Sequence, residues 1–469
     1  MLVSSLHALE GGCSPPCRHL NILKYILIFF VGRGSLFGAK VYPASFLYAK
    51  VRNKFLNTKY LREFFLFLKT EAAADSINME ELLQAGQSRP LSPELMELLS
   101  GIPDPRRTDR GDFKYPLPDV MVMLCLGRVC GRVSRRDIIS FTEEHLGVLQ
   151  SRLGILEKGC PSEPTLCRME KNIDPDAMAR LYADFAAKWL LPMEDGKQRM
   201  LAMDGKYARG TTLADGRCPD IVTLYSPDDG IALGTEMCEE KSNEIKAGPK
   251  LLDTVDISGT LVTADAMSCQ KGIVSAIREH GADYLIGLKA NQKSLLWDAE
   301  DNLADLVPDD RYLPPITLEH GRIEDRKCLV YRNFEGIKTA KDWKDLNSII
   351  RIDVHKTNKK SGKTSDETRF YITSLAGDAR TLHDCAQKHW AIENNLHWTL
   401  DTSLHQDAIK RKHKEAARNL DTMQKTVLLL QNVALRKHPP VEGEGKCSLA
   451  DVRRKATDSL DYAISLLAM

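Results

Sequence analysis

Short apolar runs that end on a charged or small residue dominate the chain from residue 201 onward. Leu201–Met203, Ile221–Tyr225 and Ile231–Met237 have the length and composition of strands, and turn signals stand between them at Asp215-Gly216 and Asp228-Asp229-Gly230. The period then alternates. Asn243 to Val255 reads as a helix, Thr260–Ala264 as a strand, Cys269 to His280 as a helix and Asp283–Leu288 as a buried strand.

Three antiparallel strands followed by alternating helix and strand predict an α/β fold of ribonuclease-H-like order, a mixed sheet with flanking helices. A β-rich insertion is expected at about 290–378, where Arg326–Tyr331, Ser348–Val354 and Arg369–Thr373 alternate and Lys356 to Lys363 makes a polar hairpin tip. Thr381 to about Leu400 follows as one helix and Ala416 to Leu435 as a long apolar-periodic one. Pro439-Pro440 and a Gly-rich stretch precede a final amphipathic helix from about Leu449 to Leu467. Upstream, residues 92–195 have helical period, with Ser92-Pro93 and Ser134 as N-terminal signals. The expected organisation is an all-helical N-terminal domain at 79–195, the catalytic α/β domain at 196–438 and a tail helix within 439–469. Residues 1–78 stand apart as an aromatic and basic extension without sustained period. They read either as a native extension or as upstream sequence read through in frame, with the start in the second case at Met79.

Composition changes this picture in one respect. The 469 residues carry 43% hydrophobic and 28% charged side chains, as an ordinary globular protein does, and the net charge is +1. Residues 1–69, however, hold ten of the 65 basic and two of the 64 acidic residues, which leaves 55 against 62, a net −7, over the remaining 400. A nucleic-acid partner must then be met by local basic patches. The apolar run Ile22–Val31 is far shorter than the roughly 20 residues that span a bilayer, and no signal-peptide pattern surrounds it. The twelve cysteines are scattered without paired CxxC knuckles, the usage of a reduced, cytoplasmic chain with no membrane association.

The chemistry concentrates in three stretches. Leu201-Ala-Met-Asp-Gly-Lys206 and Leu261-Val-Thr-Ala-Asp-Ala-Met267 each deliver an aspartate at the end of a buried strand. His389-Trp-Ala-Ile-Glu-Asn-Asn-Leu-His-Trp398 projects Glu393 from a helical face. Asp204, Asp265 and Glu393 are hard oxygen donors of the kind that hold Mg²⁺ or Mn²⁺. Two such ions, expected with DNA bound, activate a nucleophile oxygen and stabilise a leaving oxygen at one phosphorus. Gly205 permits close approach of phosphate, and Lys206 is placed to touch it. Lys410-Arg411-Lys412-His413-Lys414 is the densest basic run and, on a helix, offers a positive face to the DNA backbone. The pairs Arg106-Arg107 and Arg135-Arg136 are further phosphate candidates.

These segments resemble DDE-type insertion-sequence transposases of the H-repeat-associated group. The resemblance is carried in order by Ile102-Pro-Asp-Pro-Arg-Arg107, Ala202-Met-Asp-Gly-Lys206, Glu240-Lys-Ser-Asn-Glu-Ile245, Val262–Met267 with Cys269-Gln-Lys271, Asp283–Gln292, His320-Gly-Arg-Ile-Glu324 with Arg326, and His389–Trp398 leading to Asp401. It implies a ribonuclease-H-like catalytic domain, a helical associated domain, and Asp204, Asp265 and Glu393 as metal-binding catalytic triad. It further implies that Lys289, Asn291 and Gln292 hold DNA or the neighbouring carboxylates, and that His320, Arg322 and Arg326 meet phosphate. Double-stranded DNA, both element ends and target, is the implied partner, bound by a homo-oligomer. Three positions depart from the group: no histidine on Asp220–Tyr225, Leu400 in place of a lysine seven residues after the glutamate, and Gln406 where an acidic residue is common. The alternative is accordingly a DNA-binding protein on the same fold that has lost cleavage. A cysteine hydrolase built on Cys269 or Cys385 lacks an orienting motif, and no GxxxxGK[ST] phosphate loop is present.

Overall fold

The computed structural model describes residues 91–109, 113–213, 216–238, 244–319, 321–437 and 447–469. The expectations for residues 1–78, the turn at Asp215 and His320 lie outside these.

Five helices open the described chain: α1 (Pro93–Gly101), α2 (Leu117–Val129), α3 (Arg135–Leu153), α4 (Glu163–Asn172) and α5 (Pro175–Ala187). Their starts are written in local chemistry. Ser92 accepts the Leu95 N–H, and Ser134 and Asp137 form a reciprocal capping box. Eleven of the thirteen residues of α2 are buried, so it is the centre of this layer and not a surface helix. Gly127 sets how close α3 comes, because a Cβ there would stand 2.9 Å from Ile138.

A single sheet follows, with strand order β3-β2-β1-β4-β5-β10-β9-β8-β6 and β7 pairing β8. Its strands are β1 (Met200–Tyr207), β2 (Asp220–Ser226), β3 (Ile231–Met237), β4 (Leu261–Ala264), β5 (Asp283–Leu288), β6 (Asp310–Tyr312), β7 (Thr317–Glu319), β8 (Arg322–Tyr331), β9 (Ser348–Asn358) and β10 (Thr364–Thr373). β1, β2 and β3 pair antiparallel; β4 and β5 extend β1 in parallel through α6 (Glu244–Leu252) and α7 (Lys271–Glu279). This is the ribonuclease-H-like order expected from the sequence.

The β-rich stretch is not a separate body. β10 pairs antiparallel with β5, Phe370 facing Leu288 and Thr373 facing Leu285, so β8, β9 and β10 widen the same sheet. The stretch also holds a helix the alternation hid, α8 (Lys293–Leu303), which buries Leu295, Ala299 and Leu303 at four-residue spacing.

The helix expected over Thr381–Leu400 is divided. α9 (Ala379–Lys388) gives way to a π-helical segment at Ile392–His397, in which the Trp398 N–H reaches back to the Glu393 carbonyl, before the short α10 (Trp398–Thr402). The expected terminal helix is also two: α12 (Leu449–Asp458) and α13 (Leu460–Leu467), broken where extended Ser459 caps the second by accepting the Tyr462 N–H. Both pack on α2 and on the long α11 (Lys414–Lys437), and the Leu467 carbonyl accepts the Ser92 N–H at 2.9 Å. α11 ties the layers together, touching α2, α4 and α5 on one side and β3 on the other.

Candidate active site

Parallel pairing fixes the first two carboxylates. Met203 faces Ala264 across β1 and β4, so Asp204 and Asp265 are the next positions on neighbouring strands and stand side by side at one edge. Asp265 leaves β4 in a tight turn, its Oδ1 accepting the N–H groups of Met267 at 2.9 Å and Ser268 at 3.3 Å. Gly287 on β5 admits this turn, since a Cβ there would stand 3.2 Å from the Ala266 nitrogen. Asn291 and Gln292 lock it from the other side, donating to the Ala266 carbonyl at 2.5 Å and the Cys269 carbonyl at 2.8 Å.

Two histidines bring the third carboxylate in. His389 lies 3.0 Å from the hydroxyl of Thr263, two residues before Asp265. His397 Nδ1 stands 3.6 Å from Asp204 Oδ2. Glu393, midway between them in sequence and exposed, is thereby carried on a segment tied to both aspartate strands. β4 ends just before Asp265 as expected, but β1 runs on to Tyr207, so Asp204 lies within its strand and not at the end of it. Burial pushes His389 down to about 4, the Asp265 charge opposing, and pushes His397 down to about 3, so both imidazoles are neutral at pH 7.

The backbone thus sets Asp204 and Asp265 on neighbouring strands and ties the segment that carries Glu393 to both through His389 and His397. Among the described residues, though, no three His, Cys, Asp or Glu side chains are grouped closely enough to hold a metal ion. The donor chemistry still fits a hard divalent ion, which takes one or two carboxylates and completes its shell with water and substrate phosphate.

The basic candidates divide. Lys206, on the same face of β1 as Asp204, is nearly buried and held by Asp401 at 2.7 Å and Asp407 at 3.3 Å, two acidic groups about 200 positions away along the chain. Residues 410–413 are not helical, which corrects the expected positive helix face. Arg411 turns inward against Glu170 at 3.1 Å, in a cluster with Arg135, so neither is a phosphate contact in this structure; Lys410 and Lys412 remain exposed and Lys414 is half-buried at the start of α11. Arg106 is held by Asp104 and Arg326 by Glu324. Lys289 and Arg322 are exposed.

One feature of the site has no signal along the chain. Because β10 runs antiparallel to β5 and meets Leu288 at Phe370, its residues 364–369 continue beyond the edge that carries the carboxylates, together with the paired ends of β9 and β8. The hairpin tip of this three-stranded arm exposes Lys359, Lys360 and Lys363. At its base the Arg369 guanidinium lies 5.7 Å over the ring of Trp390, on the segment leading to Glu393. The alternation of the strands was legible, but only the register shows where they point.

Cys269 and Cys385 are not poised as nucleophiles. Burial pushes the Cys269 thiol up to about 12 and Cys385 up to about 11, against the lowered values of reactive thiols. Among the described residues no disulfide joins any pair of cysteines, and no helix is long and apolar enough to cross a membrane.

Comparison with known proteins matches residues 220–430 to the Transposase DDE domain and residues 96–186 to the DDE_Tnp_1-associated model. "Putative transposase YncI" of Escherichia coli O157:H7 is 31% identical over 72% of this chain and 86% of that one. "H repeat-associated putative transposase YhhI" of Escherichia coli strain K12 is 30% identical over 80% of this chain and 98% of that one. A solved structure, the cryo-EM structure of piggyBac transposase synaptic complex with hairpin DNA, aligns with 78% of this chain and 79% of that one at a TM-score of 0.37 and 11% identity, a likeness that adds nothing to the assignment.

Proposed function

The chain belongs to the DDE transposases, in the H repeat-associated group, and from that premise we propose that Asp204, Asp265 and Glu393 are its metal-binding carboxylates for cleaving and joining DNA. What supports this is the register of β1 and β4, which puts Asp204 beside Asp265, together with the contacts of His389 with Thr263 and of His397 with Asp204, which bring in the segment that carries Glu393. Two Mg²⁺ or Mn²⁺ ions, when bound, supply activation of the attacking oxygen and stabilisation of the leaving one.

The chain's own residues do the rest. The Asp265 turn is rigid because Asn291 and Gln292 hold its carbonyls, and rigid support is what keeps a catalytic geometry productive. In the first step water attacks the phosphorus at the element end, the P–O3′ bond breaks, and the 3′-oxygen leaves as a hydroxyl. In the second, that 3′-hydroxyl attacks a target phosphodiester; one P–O bond forms, one breaks, and no external energy source is consumed. Lys289 beside the edge, Arg322 and the tip lysines on the arm, Lys410 and Lys412 before α11 and Lys414 at its start supply the phosphate contacts. Lys206 instead fastens the segment after Glu393 to β1 through Asp401. Two DNA ends must be held together, which calls for a homo-oligomer on DNA.

The test is nicking of a duplex carrying the element's terminal repeats in Mg²⁺ or Mn²⁺. Wild-type cleavage that vanishes in Asp204→Asn, Asp265→Asn and Glu393→Gln supports the proposal. Repeat-specific binding with no cleavage by the wild-type chain in either metal would instead identify a DNA-binding protein that has lost the reaction.

A further inference from the structure

Arg128, on the last turn of α2, is a buried cation without a counterion of its own. The residue is 4% exposed, and its Nε has no hydrogen-bond partner among the described residues. Glu170 is the carboxylate that acts on it, but Glu170 is already held by Arg135 at 2.6 Å and by Arg411 at 3.1 Å. Three guanidiniums thus share one carboxylate. Burial pushes Arg128 down to about 10, Glu170 opposing and the charges of Arg411 and Arg135 adding to the effect. A buried charge left uncompensated is costly, so the cluster favours an anion from outside.

A cavity beside Arg128 is open to one. It lies where α2 ends against the loop that follows α10, and Arg128, Arg132, Ser403, His405 and Gln424 line it with no carboxylate among its walls. Arg132 Nε is enclosed and, like Arg128 Nε, makes no hydrogen bond. Gly131 and His405 are exposed at the mouth, and Arg453 brings a further cation by donating to the Ser403 carbonyl. The enclosed space is about 10 Å³, room for about one oxygen atom. A phosphate therefore seats one oxygen inside and keeps the rest at the mouth, as a phosphate within a polymer must. Gln424 Oε1, an enclosed acceptor, favours water instead. Two charged donors against one neutral acceptor decide for the anion, because charge-assisted hydrogen bonds are about twice as strong as neutral ones.

We propose that this cavity binds a phosphate oxyanion, one oxygen held by Arg128 and Arg132 and another by His405. The oxyanion chemistry follows from the cavity alone; that the phosphate belongs to a DNA backbone rests on the transposase reading above. Held there, a backbone phosphate bridges the helical layer and the stretch just past Asp401, the residue that fastens Lys206.

The experiment titrates the full chain with inorganic phosphate, and separately with a duplex of arbitrary sequence, in chloride buffer of fixed ionic strength. Inorganic phosphate should raise the unfolding temperature of the wild-type chain above that in chloride alone. Arg132→Gln and His405→Gln, at half-buried and exposed positions, should fold normally and bind phosphate about tenfold more weakly. Arg128→Met should abolish the response from an unfolding temperature no lower than wild type, since it removes the uncompensated charge. On the duplex, Arg132→Gln should reduce the slope of log affinity against log salt by about 0.9. An effect of Arg132→Gln on the duplex, with or without one on inorganic phosphate, supports a backbone site. An effect on inorganic phosphate alone supports the cavity and overturns DNA as the source. Indifference of both probes to Arg132→Gln and His405→Gln overturns the proposal and leaves the cavity to water only. Neither probe needs cleavage, so a chain that binds phosphate here and cuts no DNA fails the transposase chemistry and not this site.

Discussion

Lys425 donates to the hydroxyl of Thr223 at 2.8 Å, and Thr223 is the cross-strand neighbour of Asp204. The ammonium is 1% exposed and has two more partners, Thr235 at 2.9 Å and Asp421 at 2.7 Å. Gln406 fills the other Asp421 oxygen at 2.9 Å. A fully satisfied buried ion pair therefore lies directly behind the candidate site. Removing one member of such a pair leaves a buried charge uncompensated and costs about 3–5 kcal/mol. Lys425→Met should lower stability by that amount in urea titration, and Lys425→Met combined with Asp421→Leu should recover most of it. Equal loss in the single and double variants would show that packing, not charge, is at stake.

Carboxylate replacement should separate chemistry from binding. Asp204→Asn, Asp265→Asn and Glu393→Gln each remove several kcal/mol of transition-state charge stabilisation, about 10³-fold or more in cleavage rate. Since Glu393 is exposed and Asp265 sits in a turn, thermal unfolding should move little. Single-turnover cleavage measured beside gel-shift affinity on the same DNA checks both halves.

Neighbouring basic residues should behave in opposite ways. Arg411→Ala strips a partner from buried Glu170 and is expected to destabilise by about 1–3 kcal/mol. Lys412→Ala, at an exposed position, should leave stability alone and weaken DNA binding. In a plot of log affinity against log salt, each phosphate-contacting lysine removed reduces the slope by about 0.9. The triple variant Lys359→Ala, Lys360→Ala, Lys363→Ala should therefore flatten it by about 2.7. An unchanged slope would take the arm out of the DNA interface.

Asn291 gives a test of support at a distance. Asn291→Ala leaves the Ala266 carbonyl without its side-chain donor and should cost about 1 kcal/mol of stability. Its larger effect should be on cleavage rate, with DNA affinity preserved. A fall in affinity alone would mean that Asn291 touches DNA directly.

Acid should weaken the fold through His389. Burial lowers it from 6.5 to about 4, so the folded state favours the neutral ring and the unfolded state takes up the proton first. This contribution is complete above pH 6.5 and is lost as pH falls from 6.5 toward 4. Unfolding midpoints followed across that window should decline in the wild-type chain and decline less in His389→Gln.

The parts of this structure legible from the sequence are those fixed by neighbours along the chain. β1 to β5 announced themselves as apolar runs, and Asp204 and Asp265 as the polar residues that end two of them. Ser92 and Ser134 marked helix starts because the caps are local. What stayed hidden depends on distant partners. Arg411 reads as one of five basic residues until Glu170, 241 positions away, is found against it. Lys206 reads as a free cation until Asp401 is seen beside it. The helix Lys293–Leu303 was masked by the alternating runs that follow it, although Leu295, Ala299 and Leu303 keep helical spacing. The π-helical segment is the subtler case, since its hydrogen bonding changes while the residue pattern does not.

That widened turn counts for one residue of phase. Each residue of a regular α-helix advances about 100° around the axis. Winding all of Ile392–His397 as ordinary α-helix, with no residue removed, would swing everything downstream by about that angle relative to Glu393. His397 would leave Asp204, and Asp401 would leave Lys206, though every side chain named here were still present. The extra residue of the wide turn is therefore what keeps both pairs in phase: loss of Asn394 alone would turn the bond from Trp398 to the Glu393 carbonyl into an ordinary α-helical one and should leave His397 and Asp401 on the side they now face.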